Sequence, residues 1–331
     1  MLYVTTRSDQ TVYTSHCTLK EDKAADGGAY RVFHAPYFSK ADIDAFLEKT
    51  FSQCVADILN VLFGTSLTSW DVEFAIGRYP VHTRSLGHRL CFAEPWHNPE
   101  WNYSWVTRKL AALLFPEADA ITDWVTISVR IAVLFGVFGN LHRSGIQSAD
   151  IVVVSGDLSS LISAWYARQW GLPINSILCC CDEESALWDL VCQGQIRTNS
   201  AEKIAGLKQS NLERLICECG GTEEVKRYLE SFCTGSVYNP GASTQENLRN
   251  GLCISVTGKN RTEHIISRFY GTYGYIMSSH TAQADIGLMD YRAKTGKVCD
   301  AVILAEDSPH ADAAFVAKAL GISIKELMQR I

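Results

Sequence analysis

Short apolar runs alternate with longer stretches in which apolar residues recur every three or four positions, and this rhythm organises the second half of the chain. Ile151-Val152-Val153-Val154 is a run of the kind that forms a strand buried on both faces. The turn Ser155-Gly156-Asp157 follows, and a helix is predicted over Leu158 to Trp170, with Gly171 and Pro173 as its stop. Ile174 to Cys181 reads as the next strand and Glu183 to Cys192 as the next helix. Later, Ala301-Val302-Ile303-Leu304 is a strand and Ala311 to Leu320 a helix. A final helix opens at Ser323, with Glu326 at capping-box spacing. Alternating strands and helices predict an α/β fold, a parallel sheet with helices on both faces. The first part reads as helical. Ser39 and Asp42 form a capping pattern before Ile43-Asp44-Ala45-Phe46-Leu47, a second helix through Val55, Ile58, Leu59 and Leu62 stops at Gly64, and a third covers Trp70 to Ile76. The expected division is a small, mostly helical N-terminal domain over 1–90 and a large sheet domain over 91–331.

Composition narrows the class. In 331 residues, 47% are apolar, enough for a sizeable core without disulfides, and the net charge of −6 argues against a nucleic-acid or anionic-membrane partner. The longest apolar stretch, Ile127 to Leu141, carries Arg130 and Asn140 and is shorter than the roughly 20 residues of a membrane span, so a buried helix is expected. Met1 to Arg7 lacks the apolar region of a signal peptide, which predicts a cytoplasmic protein. The twelve cysteines show no disulfide-framework spacing and fit free thiols in a reducing compartment. Cys179, Cys180 and Cys181 are consecutive, so neighbours on a strand face opposite sides. Cys217-x-Cys219 with Cys233 lacks the paired spacing of a zinc site, and no metal is expected.

Seven stretches, in order, resemble the threonine synthases, pyridoxal-phosphate (PLP) enzymes of fold type II. Tyr3-Val4-Thr5-Thr6-Arg7 looks like that family's Ser-Thr-Arg opening, and Ala25-Asp26-Gly27-Gly28-Ala29-Tyr30 like its Asp-Gly-Gly-Leu-Tyr. Glu94-Pro95-Trp96-His97-Asn98-Pro99 falls where the family has Glu-Leu-Phe-His-Gly-Pro, and Asp123-Trp124-Val125 with the helix after it is similar to its Ser-Ile-Asn-Trp-Ala-Arg helix. The unit from Ile151 through Gly171-Leu172-Pro173-Ile174 resembles the strand, phosphate loop and helix that end in Gly-Leu-Pro-Ile. Gln209-Ser210-Asn211-Leu212-Glu213-Arg214-Leu215 is similar to Ser-Ser-Asn-Phe-Glu-Arg-Leu, and His280-Thr281-Ala282 to a His-Thr-Ala triplet. The resemblance implies a tryptophan synthase β-like sheet domain behind a small helical N-terminal domain. It also implies a mobile small domain that closes over substrate. Here Tyr103 to Asp123 bridges that region directly, so the mobile domain is expected to be deleted or reduced to one helix, Trp105 to Phe115.

The resemblance implies a lysine, in a Phe-Lys-Asp triplet shortly after His-Gly-Pro, that holds the PLP aldehyde as an imine. Counting on from His97, the triplet here is Tyr103-Ser104-Trp105, which places Ser104 at the lysine position; a hydroxyl cannot form an imine. Lys109 lies five residues on, on another side of a helix, and reads as a solvated lysine. The family's phosphate loop, Thr-Gly-Asn-Phe-Gly-Asn, is here Ser155-Gly156-Asp157-Leu158-Ser159-Ser160. Asp157 would set a carboxylate beside an incoming dianion, and Asp157 or Ser159 is expected to cap the helix instead. If an anion binds, Ser155, Gly156, Ser159 and Ser160 are the expected donors. Where the family turns a Thr-Ala-His-Pro stretch towards the pyridine nitrogen, this chain has Glu306-Asp307-Ser308-Pro309, with His310 as a shifted counterpart of the histidine. His97 and His280, at matched positions, are acid–base candidates or retained structural hydrogen bonds. Trp96, Trp101, Tyr103 and Trp105 either line a pocket or fill vacated space.

The expected function is that of a catalytically degenerate threonine-synthase-like protein, with no PLP, that binds a partner or a small anionic metabolite. The alternatives are an active PLP-dependent lyase of threonine-synthase type, converting phosphohomoserine to threonine, and a structural homo-oligomer. A homodimer is expected because the helix Ile127 to Leu141, apolar on nearly every face, needs cover that a deleted domain no longer supplies.

Overall fold

The structure, a computed structural model, describes residues 1–78, 80–97, 102–117, 120–197, 210–257 and 261–331. The chain opens with a small antiparallel sheet in which β1 (Leu2–Thr5) lies between β2 (Tyr13–Thr14) and β3 (Tyr30–Val32). Around it come α1 (Ser15–Lys20), α2 (Lys40–Glu48), α3 (Phe51–Phe63) and α4 (Ser69–Ile76). Helices α2, α3 and α4 each open on a reciprocal capping box, Ser39 with Asp42, Thr50 with Gln53 and Thr68 with Asp71. Gly64 ends α3 at φ +70°, a conformation that costs an L side chain energy but glycine almost nothing.

The large sheet has the order β4-β5-β9-β6-β7-β8. It comprises β4 (His82–Ser85), β5 (Leu90–Glu94), β6 (Ala149–Val154), β7 (Ile174–Cys181), β8 (Cys253–Val256) and β9 (Ala301–Leu304). All neighbours are parallel except β4, which runs antiparallel to β5. Period two is visible in the packing. Ile151 and Val153 of β6, Cys179 of β7 and Val302 of β9 enter one core, while Val152, Cys180 and Ile303 enter the core on the other face. The boundary drawn at residue 90 falls at the first residue of β5, whose paired neighbour β4 precedes it, so the two parts share a sheet as well as the larger core.

The remaining helices are α5 (Tyr103–Leu114), α6 (Asp123–Arg143), α7 (Ser159–Gln169), α8 (Ala186–Trp188), α9 (Ser210–Thr234), α10 (Ala242–Gly251), α11 (Thr262–Tyr273), α12 (Ser279–Thr295), α13 (Ala313–Leu320) and α14 (Ile324–Arg330). Two local expectations are corrected. The helix expected over Glu183 to Cys192 is one α turn, α8, followed by a π turn, Asp189–Gln193. At the last helix Ser323 does accept the N–H of Glu326, but the Glu326 carboxylate turns to Arg330, so the box is half made. Helix α9 is broken at Gly221, whose φ of +80° lies outside the helical region.

Helix α6 is the one described helix long and apolar enough to cross a membrane, and its apolar residues are buried inside the fold. It packs against α2, α3, α5 and α7 of the same chain, and Ile127, Val129, Ile131, Val133, Phe135 and Val137 have no exposed surface. The expectation that this helix needs a second copy for cover is therefore corrected: α2, α3, α5 and α7 of the same chain cover it. The most exposed large apolar side chains among the described residues lie elsewhere, at Tyr37, Trp70 and Phe74.

Candidate functional site

Neighbouring strands β6 and β9 send their chains to opposite faces of the sheet. The helix after β6, α7, joins one core, and the helix after β9, α13, joins the other. In open α/β sheets the crevice outside the carboxyl ends of two such strands is where ligands bind. Here that crevice is bounded by the loop 155–158 and the run after Leu304, the two segments from which Ser155 to Ser160 and Glu306 were read as site residues.

The structure joins these segments through a residue the sequence reading did not assign to the site. Arg130 leaves the middle of α6 and donates through Nη1 to Oε2 of Glu306 at 2.8 Å and to Oγ of Ser160. Ser160 in turn donates to the other carboxylate oxygen of Glu306. The guanidinium lies 4.6 Å over the ring of Tyr103, close enough for a cation–π contact. Burial alone would depress the pKa of Arg130, but the Glu306 carboxylate beside it acts the other way, and the value is raised. Burial, with Glu306 adding, pushes the Tyr103 hydroxyl well up. That hydroxyl and Nε of Arg130 are buried with no hydrogen-bond partner among the described residues. The available signal was a lone charged residue in the apolar stretch Ile127 to Leu141. A charge there must be paired, but its partner is 176 residues away and leaves no local trace.

At the phosphate-loop position, Asp157 accepts the N–H of Ser159 at 2.9 Å and its hydroxyl at 2.6 Å, holding the first turn of α7 with its own carboxylate. The N–H of Ser155 goes to the carbonyl of Cys180. Leu158, just before α7, takes φ +62°, unusual for a residue other than glycine. Gly156 is exposed, and a Cβ there would meet nothing within 4 Å.

Ser104 is exposed on the first turn of α5, while its neighbour Tyr103 turns inward beneath Arg130. Lys109 is exposed further along α5, with its ammonium 5.6 Å over the Trp105 ring. His97 and His280 are drawn to carboxylates of their own. His97 meets the buried Glu94 at 2.6 Å and stacks on His82 and Trp96; His280 meets Asp307 at 2.6 Å. Neither bonds to the Arg130 cluster among the described residues. The hydrogen bond to Asp307 raises the His280 pKa and lowers that of Asp307. His310 pairs with Ser308 at 2.7 Å. Trp101, Asn98, Pro99 and Gln209 lie outside the described residues. Among those described, no group of three or more His, Cys, Asp or Glu side chains could hold a metal ion.

The other matched stretches meet as framework. Glu213 receives a forked pair from Arg7, 3.1 Å at each oxygen, and the hydroxyl of Thr6. Asn211 donates to the Asp157 carbonyl at 2.8 Å, which ties α9 to the loop after β6. Arg214 donates to the Tyr30 carbonyl at 2.8 Å, to Asp123 at 2.6 Å and to Asn211 at 2.7 Å. Asp26 takes the Thr5 hydroxyl and the Gly28 N–H.

This is the α/β fold of the PLP fold type II enzymes, and it matches solved threonine synthases over nearly the whole chain. The PLP-bound threonine synthase of Brucella melitensis superposes with a TM-score of 0.82 at 15% identity, covering 97% of this chain and 92% of that one. Threonine synthase from yeast gives 0.82 at 14% identity over 98% and 91%. The Escherichia coli enzyme gives 0.72 at 15% over 100% and 94%. At these identities the likeness is one of fold. In sequence, the chain is similar to threonine synthase-like 1 of Homo sapiens, 26% identical over 149 residues, which are 41% of this chain and 20% of that protein. The counterpart in Macaca fascicularis matches to the same extent. The chain thus spans about a fifth of the length of the curated relatives it matches. No family model matches it.

Proposed function

We propose that this chain is a threonine-synthase-like protein that does not carry PLP on a lysine and that acts by binding. The observation that supports it most is the direct contact of Ser160 with Glu306, bridged by Arg130. By the resemblance, these two residues stand at the phosphate end and the ring-nitrogen end of the cofactor. A molecule with those groups at opposite ends has no room between side chains that touch. Three further features agree. Ser104 has no amine, Asp157 already occupies the N–H it would have to yield to a phosphate, and among the described residues a single helix, α5, lies between His97 and α6, where the family has its closing domain. The residues present do not fit PLP.

For the ligand, the strand ends favour a macromolecular partner over an anionic metabolite. Glu94, Asp157, Asp182, Glu306 and Asp307 follow or end the parallel strands; Arg130 offsets Glu306, and the field of the others still opposes an incoming anion. A second copy of the chain is the simplest partner, supported by Trp70 and Phe74, which are 78% and 94% exposed one helical turn apart on α4.

The test is to purify the protein with PLP supplied, reduce it with borohydride and map any pyridoxyl group by mass spectrometry. No labelled lysine and no visible absorbance are expected. A pyridoxyl-lysine would overturn the proposal and favour the active lyase. Light scattering across a dilution series reads the association, with mass falling on dilution as the expected result.

A further inference from the structure

A cavity of about 600 Å³ lies along β8, the outer strand of the sheet, two strands removed from β6. Nothing in the resemblance assigns it a role. Its volume sits within the roughly 300–1,000 Å³ range of small-molecule sites. Its lining is largely apolar, with Leu178, Trp188, Val191 and Ile254 contributing.

Two cations stand in this apolar lining, and they come from different elements, Arg249 from α10 and Lys294 from the last turn of α12. Arg249 is held there, since its Nε donates to the carbonyl of Val191 at 3.2 Å. Gln245, one turn earlier on α10, donates to the carbonyls of Leu190 and Val191 at 3.3 and 2.9 Å. The π turn Asp189–Gln193 is thus tied down by side chains of α10, and π turns of this kind recur at functional sites. Asp290, the one carboxylate in the lining among the described residues, does not cancel the two cations, because it is held by Arg261 at 2.7 and 2.9 Å. Cys192 stands in the same lining as both cations. Partial burial pushes its thiol up, and Lys294 and Arg249 both act against that push.

We propose that this cavity is a binding site for a small organic anion with an apolar body, an aryl or medium-chain alkyl carboxylate or sulfonate. Its charged group lies between Arg249 and Lys294, and its apolar part covers Ile254 and Val191. An apolar lining alone would accept a neutral ligand; the pair of cations selects the anion. The proposal does not depend on what occupies the crevice between β6 and β9.

The probe is 8-anilinonaphthalene-1-sulfonate, with N-phenyl-1-naphthylamine as its uncharged counterpart. Fluorescence titration measures affinity, and iodoacetamide labelling read by peptide mass spectrometry locates the site. Cys192 is exposed in the cavity lining, and Cys233, exposed on α9, is the internal control. One saturable site is expected, and filling it should slow labelling of Cys192 while leaving Cys233 unchanged. Arg249→Gln with Lys294→Gln should weaken the sulfonate about tenfold and leave the uncharged dye within about twofold. Lys294→Gln alone, at an exposed position, is the second variant if the pair disturbs folding, and a smaller loss of the same sign is expected. No binding, equal affinity in the variants, or unchanged Cys192 labelling would each overturn the proposal. So would protection of Cys192 by a polyglutamate peptide and not by the sulfonate, because the edge of β8 would then be a docking strand for acidic chains.

Discussion

Arg214 and Arg130 each leave a helix, lie over an aromatic ring and meet a carboxylate. Arg214 sits 5.8 Å over Trp124 and bonds Asp123; Arg130 sits 4.6 Å over Tyr103 and bonds Glu306. The difference is in what they connect. Arg214 has no exposed surface and ties α9 to β3 and the start of α6, three parts of the framework. Arg130 and Glu306 keep 12% and 28% of their side chains exposed, and they join two segments that the fold turns towards a ligand crevice. Similar chemistry therefore stitches the scaffold in one place and bridges the two segments of the candidate site in the other. The stretch that carries Arg214 resembles the family residue by residue, whereas Arg130 lies in the helix after Asp123-Trp124-Val125, beyond the residues quoted for that resemblance.

The comparison breaks most sharply on stability. Arg214→Leu strands Asp123 and the Tyr30 carbonyl, and a loss of about 3–5 kcal/mol is expected in urea unfolding. A loss below about 1 kcal/mol would remove its framework role. Arg130→Met should cost less, about 1–3 kcal/mol, because Glu306 can reach water once released. A double-mutant cycle with Glu306→Gln should show coupling, and independent effects would mean that the two residues do not act as a pair.

Asp157→Asn should change stability little and ligand response more. Asparagine keeps an oxygen for the Ser159 N–H but removes the charge, so added phosphate should raise the variant's Tm by about 1–2 °C and leave the wild type unmoved. Equal shifts would show that the Asp157 charge does not guard the helix end.

The smallest effect concerns His280 and Asp307, which are about half exposed. The His280 pKa is raised, so its share of the pair's stability is complete below about pH 6.5 and fades as pH rises through the raised value. The Asp307 pKa is lowered, so its share is present above about pH 3.9 and is lost as pH falls through the lowered value. The His280 ring signals in NMR should titrate above the ordinary histidine range, and Asp307→Asn should bring them back. An unmoved midpoint would separate the two groups.

Much of the framework was legible in local pattern. The runs at Ile151, Ile174 and Ala301 are strands because apolar β-branched and thiol side chains suit a sheet buried on both faces, and the split of Cys179 and Cys180 between two cores follows from the pleat. The caps at Ser39 and Gly64 were readable because each uses partners within a few residues. The small sheet at the N-terminus was not readable, since β2 and β3 are two and three residues long and gain their shape only by pairing with β1. The π turn after α8 was missed for a related reason: its carbonyls are satisfied by Gln245 and Arg249, more than 50 residues away.

The same division runs through the candidate site. The amino-acid types at Ser104, Asp157 and Glu306 were enough to question a lysine-held cofactor, because whether a side chain can form an imine, or carries charge, depends on its own atoms. That Arg130 reaches across from α6 to Ser160 and Glu306, that α6 is sealed within one chain, and that Arg249 and Lys294 share a cavity were decided by the folded chain. Such contacts link residues tens to nearly two hundred positions apart. Their energy comes from desolvation and packing that exist only once the sheet and its two helical layers have assembled.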